Sequence, residues 1–344
     1  MSTLTNTSTT PSTRKSFAFY AKYLFVRLGV LPFLLLAAII IFSLLSENFL
    51  TGRNVMNVFR QSSYLMLIAM GQMFALLTGG FDLSVGTIVA ITSVVSAIVM
   101  STLFSLYPDA IWLSISVGAL VGLFVGTSIG LINGIGVAIF KVNPFMMTLG
   151  MSSVGFGAAL YLTGGSPVYG MPMDFSDTFG FGKLLGIPAP IWICFLCFAA
   201  LALLVNWTRT GRYFYAVGGN LKAAQLSGIN TKKMLMLAYM ISGLVAAVCG
   251  ILLTARLDTG EANIGASFPL ESIAACVIAG VSLRGGVGRI GNVVLGALFI
   301  GLITNGMNLA RIESYLQTVV IGLLLIFAVI ADQLRLKLMA SLQD

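Results

Sequence analysis

Three patterns in the chain are of a type that does chemistry elsewhere. The first is T-G-G-F-D-L-S-V-G, Thr78 to Gly86, whose Asp82 is one of only two charged residues between Arg60 and Lys141. A carboxylate beside a hydroxyl, Ser84, and among glycines suits two uses: it ends one helix and starts another, or it touches a polar solute. The second is the CxxC of Cys194 and Cys197, a spacing used for zinc. Here it lies inside the apolar run Ile191 to Val205, in a chain with no histidine. Cys194, Cys197, Cys249 and Cys276 therefore read as small apolar core residues, and no metal or other cofactor is expected. The third is G-V-G-R-I-G, Gly286 to Gly291. It spells GxGxxG, yet no strand precedes it and no βαβ unit surrounds it, so it does not read as a dinucleotide site. No GxxxxGK[ST] occurs, so nothing in the sequence cradles ATP phosphates. Without histidine or a nucleophile constellation, an enzyme is a poor reading.

Glu271, Asn133, Asn143 and Asn305 are further polar groups inside or at the edge of apolar runs. Asparagines there pair with neighbouring helices or contact a solute, and both uses stay open.

The elements that must position these groups are apolar helices. Of the 344 residues 58% are hydrophobic and 9% charged, and mean hydropathy is +1.00. A soluble domain is about one quarter charged. Several runs exceed the ~18 apolar residues of a membrane span, and the alternating segments of a barrel are missing. The fold class expected is an all-α polytopic membrane protein. Ten segments are expected, at about 30–46, 62–79, 83–104, 111–138, 143–163, 189–206, 234–255, 269–284, 289–309 and 314–331. The eighth is short and polar-flanked, as a half-helix or re-entrant piece would be.

The +8 net charge follows topology. With the N-terminus inside and ten spans threaded, fourteen of the 19 lysines and arginines fall on the cytoplasmic side. Both termini are then cytoplasmic. Residues 1–28 form a Ser/Thr-rich, then basic tail, 29–334 the membrane domain, and 335–344 a second tail. Gly118, Gly122, Gly126, Gly130 and Gly134 recur every four residues, which suits close approach of a neighbouring helix. G-L-I-N-G at 130–134 is echoed by G-L-I-T-N-G at 301–306, and Asp82-Leu83-Ser84 loosely by Glu271-Ser272. Opposed senses in the threading suggest an inverted repeat, spans 2–5 against 7–10.

The longest basic loop, 206–233, is ordered by its own residues. Asn220 caps a short helix from Leu221, and Gly228 closes it in the left-handed conformation. It reads either as an interfacial helix or as a docking element.

That loop, R-T-G-R-Y-F-Y-A-V-G-G-N-L-K-A-A-Q-L-S-G-I-N, resembles the cytoplasmic coupling loop of permease subunits in ribose-type and galactose-type ABC sugar importers. So, in order, do L-T-G-G-F-D-L-S-V-G, V-N-P-F-M-M-T-L-G-M, G-G-S-P-V, E-S-I-A-A-C-V-I-A-G and G-G-V-G-R-I-G, over roughly residues 28–334. Two departures stand out. Phe81 takes the place of the family's usual Ile, and Pro269-Leu270-Glu271-Ser272 stands where the family often has E-L-D-A. The resemblance implies an inner-membrane permease working with a second permease copy or paralogue, cytoplasmic ATP-binding subunits, a periplasmic sugar-binding protein and a monosaccharide. It places Asn220, Ala223, Ala224, Ser227 and Gly228 at the ATPase contact. Nucleic acid is not an expected partner. An ion-coupled secondary transporter is the competing reading, since glycine-rich helices and an inverted repeat suit it too, although mid-membrane coupling groups are scarce.

Overall fold

The computed structural model of the chain describes residues 31–340. The N-terminal tail expected at 1–28 lies outside them, as do 341–344 of the C-terminal tail. The long helices are α1 (Leu31–Leu45), α2 (Gly52–Leu77), α3 (Val85–Leu106), α4 (Ile111–Ala138) and α5 (Pro144–Thr163). Two short helical turns (173–180) and a two-stranded hairpin, Lys183–Leu184 with Ile187–Pro188, lead into α6 (Ala189–Trp207). Then come α7 (Arg209–Gly219), α8 (Leu221–Leu226), α9 (Thr231–Leu257), α10 (Phe268–Ile278), α11 (Ile290–Leu309) and α12 (Ser314–Ala340). No barrel is present among the described residues.

Local chemistry sets the ends. The Thr51 hydroxyl accepts Asn54 N–H at the start of α2, and Asn143 accepts Phe145 N–H at 2.9 Å ahead of Pro144 in α5. Asn230 accepts Lys233 N–H at 3.0 Å to open α9. At the end of α2, Gly79 takes φ +79°, and Gly80 and Gly79 donate to Ala75 and Leu76 carbonyls, closing the helix as a Schellman motif.

Two helices form the axis of the bundle. α2 is buried without a break from Ser62 to Leu77. It packs on α9, α10, α11 and α6. α9 packs in turn on α4, α2 and α3, with α5 outside α3, α1 against α11 and α12 against α10. The glycines of α4 face this axis. A Cβ on Gly126 would lie 2.6 Å from the Ala247 Cβ, and one on Gly134 would lie 2.7 Å from the Met236 Cα, so the α4 and α9 backbones nearly touch. Gly130 meets the Tyr239 carbonyl, while Gly118 and Gly122 lie over Met100, Ser96 and Ile251.

Among the described residues, six helices are long and apolar enough to cross a membrane: α3, α4, α5, α6, α9 and α11. α1, α10 and residues Ser314–Phe327 of α12 are apolar but shorter. The chain is thus a helical, polytopic membrane protein. The second expected segment differs in kind from the others. α2 carries Arg53, Asn54, Asn57, Arg60, Gln61 and Gln72, and it is wrapped by protein rather than apolar all round. The eighth segment is cut short: α10 ends at Ile278, and the chain turns at Gly280, Gly285 and Gly286, all at positive φ. Residues 335–340 are helical, as the end of α12.

Candidate functional site

The carboxylate of Asp82 is fully buried between α2 and α3. Its Oδ1 accepts the Ser84 N–H at 3.0 Å and the Ser84 hydroxyl at 2.6 Å; its Oδ2 accepts the Ser242 hydroxyl from α9 at 2.7 Å. Asn133 of α4 donates to Ser84 Oγ at 2.8 Å. Gln72 of α2, with its amide turned to suit its neighbours, donates to the Asp82 carbonyl at 2.9 Å and accepts the Asp82 N–H at 3.2 Å. Thr148 of α5 accepts Leu83 N–H at 3.1 Å, and the Tyr239 hydroxyl donates to Phe81 O at 3.3 Å. Five helices meet at one acidic residue, and both carboxylate oxygens are satisfied. At this node the Asn133 amide donates to Ser84, while its own Oδ1 is left without a partner. One detail corrects the sequence reading. Ser84 does not cap α3 with its side chain, because that hydroxyl is spent on Asp82.

The basic loop forms a second unit. Thr208 caps α7, accepting Gly211 N–H at 3.1 Å, and Gly211, Phe214 and Val217 form its buried face. Phe214 meets Phe74 of α2 edge-on, with ring centroids 5.3 Å apart. Gly218 lies so close to the Leu77 carbonyl that any Cβ there would collide with it. The same carbonyl accepts Gly286 N–H at 2.9 Å, and the Tyr215 hydroxyl donates to Gly288 O at 2.8 Å. Burial holds the Tyr215 phenol above its usual range, with Arg289 opposing, so it stays the donor. Of the GxGxxG glycines, Gly286 serves a backbone crossing, its Cα lying against Gly218 and Gly219.

α8 follows directly. Asn220 accepts Ala223 N–H at 2.9 Å, and Gly228 at φ +82° closes the helix, with Gly228 and Ile229 N–H donating to Gln225 and Ala224 carbonyls. Ala224 is buried; Asn220, Ala223, Ser227 and Gly228 are exposed. Leu226 is 88% exposed, an apolar side chain held out by a helix capped at both ends.

A third feature lies toward the other end of α2. A cavity of about 470 Å³ opens between α2, α9, α10 and α11. α2 contributes Arg60, Gln61, Ser62 and Tyr64, and α9 contributes Arg256. Phe268 and Glu271 come from α10; Gly301, Thr304 and Asn305 come from α11. Asn305 is held by a reciprocal amide pair with Asn54, at 2.9 and 3.1 Å.

The chain matches the family described as "Branched-chain amino acid transport system / permease component" over residues 54–329. It belongs to that family. Individual members are similar along almost their whole length. The ribose import permease protein of Escherichia coli K12 is 39% identical over 305 residues, 87% of this chain and 91% of that one. The D-allose transport system permease protein of the same strain is 40% identical over 306 residues, 89% and 91%. The L-arabinose transport system permease protein is 35% identical over 290 residues, 84% and 85%. No solved structure matches the chain. As a member of this permease family the chain is an inner-membrane protein.

Within the permease, the candidate residues divide into three groups. Asp82, Ser84 and Asn133 meet at the node, while Glu271 and Asn305 meet at the cavity. Asn143 joins neither: it is exposed and caps α5. The two echoed segments have different surroundings, Asn133 against Ser84 and Asn305 against Asn54. Sequence reasoning missed Ser242 and Tyr239, which look like ordinary span residues, and missed α7 entirely. For α7 a signal existed: Thr208 as cap, then Gly211, Phe214 and Val217 at three-residue spacing.

Proposed function

We propose that the chain is the permease subunit of an ATP-driven importer and forms the translocation path for a monosaccharide, a pentose or hexose, by alternating access. The carrying observation is the α7–α8 unit: a doubly capped helix that holds Leu226 outward and is joined through Gly218 and Leu77 to the central helix. A loop with no partner needs neither the caps nor the exposed leucine. Sugars are named for all three relatives, which favours a sugar over the amino acid in the family description.

In this reading about ten segments thread the inner membrane with both termini cytoplasmic, and spans 2–5 and 7–10 form an inverted repeat. Residues 1–28 and 335–344 flank the membrane domain, and loop 206–233 faces the cytoplasm. ATP-binding subunits dock on Asn220, Ala223, Ala224, Ser227 and Gly228. A periplasmic protein delivers the sugar, a second permease copy or paralogue completes the path, and ATP hydrolysis stays in the partner subunits. Asp82, Ser84 and Asn133 act as a helix junction, and the glycines of α4 as a packing face.

Gly228→Val tests this. A β-branched residue at φ +82° is strained by about 1–2 kcal/mol, which frays α8 without touching the membrane core. The expected result is normal membrane abundance with weakened binding of the ATP-binding subunit and reduced sugar uptake. Unchanged binding and uptake would remove α8 from the coupling role.

A further inference from the structure

The hairpin that leads into α6 is built against its own turn chemistry. Lys183 pairs with Pro188 and Leu184 with Ile187, which leaves Leu185-Gly186 as a two-residue turn. Both turn residues have positive φ, +54° at Leu185 and +80° at Gly186. Such turns favour asparagine or glycine at the first position, because a Cβ crowds the backbone there. Leucine is the wrong residue for the turn, and water offers it no compensation. The Leu185 side chain is 86% exposed and that of Leu184 62%. Apolar side chains held out at a strained tip call for an apolar environment that the chain itself does not supply.

The position of the hairpin identifies that environment. α6 has 19 residues and no charged side chain, so it rises about 28 Å, close to the ~30 Å of a bilayer's hydrocarbon core. Pro188 precedes it directly, which puts the hairpin where the hydrocarbon ends. A tryptophan stands near each end of the helix, Trp192 and Trp207, as in the aromatic belts of membrane spans. Trp192 ties the hairpin to the bare, apolar side of α6. Its indole N–H donates to the Leu184 carbonyl at 3.1 Å, and its ring meets Phe195 edge-on with centroids 6.4 Å apart. Phe195 and the adjacent Leu196 are exposed. The apolar surface of the span therefore continues through Trp192 to the hairpin. Lys183, exposed beside it, has a stem long enough to keep its ammonium among lipid phosphates.

We propose that this hairpin is a membrane anchor: Leu184 and Leu185 insert into the leaflet at the Ala189 end of α6, while Trp192 and Lys183 set the depth at the headgroup boundary. The partner is the bilayer itself. The hairpin fixes where the first turn of α6 sits along the membrane normal, at the end of that helix opposite the α7–α8 unit. The anchor works in the same way whatever solute is carried.

The test uses the full chain reconstituted in vesicles of phosphatidylethanolamine and phosphatidylglycerol. Leu185→Cys and, separately, Leu184→Cys carry a nitrobenzoxadiazole label, and the parent chain put through the same labelling sets the background from its own four cysteines. Quenching by lipids spin-labelled at two acyl depths is compared with quenching by aqueous iodide. The expected result places both labels about 5–10 Å into the boundary between headgroups and acyl chains, shielded from iodide. Adding Leu185→Asn is expected to carry the label at position 184 to the aqueous side. The thermal midpoint of that variant in detergent is expected to hold or rise, because asparagine suits the turn. Quenching of both labels by iodide, with none by lipid, overturns the anchor. So does a label shielded from lipid and iodide alike, which would make the hairpin an interface between copies of the chain. Shielding that appears only when the binding-protein partner is added overturns it as well, in favour of a docking surface for that protein. A label at position 184 that keeps its depth beside Leu185→Asn overturns the role given to Leu185.

Discussion

At the scale of single residues, Asp82 is best understood by what would be left behind without it. Asp82→Ala strands the Ser84 and Ser242 hydroxyls and the Ser84 N–H in a fully buried space. The cost is roughly 2–3 kcal/mol. The expected outcome is lower membrane abundance and a thermal midpoint several degrees lower in detergent, with the relative uptake of different sugars preserved. A stable, equally fast Asp82→Ala protein with a changed sugar preference would refute the junction role. The sequence exposed Asp82 as an anomaly because a lone carboxylate among apolar residues is visible in one dimension. Its partner Ser242 was not visible. It lies 160 residues away, and a serine inside an apolar span carries no mark of what it faces.

At the scale of elements, the α4–α9 contact makes a sharp contrast with α5. Gly126→Leu forces a side chain between two backbones already in contact and is expected to cost about 3 kcal/mol or more. Gly150→Leu on α5 points into open space and is expected to be neutral or slightly stabilising, because leucine is the better helix former. Thermal unfolding of the two purified variants separates them; equal midpoints would remove the glycine face from the packing account. Helix positions were legible for a plain reason: apolar runs and caps are local signals, and Asn220, Gly228 and Asn143 all act where they stand in sequence. One element, α7, was missed because it is amphipathic and too short for a hydropathy window, and the burial of α2 could not be read because its covering helices lie far along the chain.

At the scale of the whole molecule, the competing account of ion-coupled transport meets a chain with no histidine and an Asp82 whose oxygens are already engaged. Uptake is expected to stop when the ATP-binding subunit is inactivated and to persist when a protonophore collapses the ion gradient. Uptake with the opposite pattern would restore the ion-coupled account. The burial of α2 has a consequence of another kind, for how the protein is made. An isolated inserted helix is disfavoured by polar side chains in its span, and α2 carries Asn54, Ser62, Ser63 and Gln72, all buried in the finished fold. The helices packed against it, α9 and α11, are synthesised long after α2 has left the ribosome. α2 therefore has no stable seat in the bilayer until the C-terminal half arrives, and a chain truncated after Ala138 is expected to leave α2 accessible to a water-soluble thiol label at an engineered cysteine such as Met66→Cys, where the full-length chain protects it. The most protected helix of the finished permease is the one that has to wait longest for its surroundings.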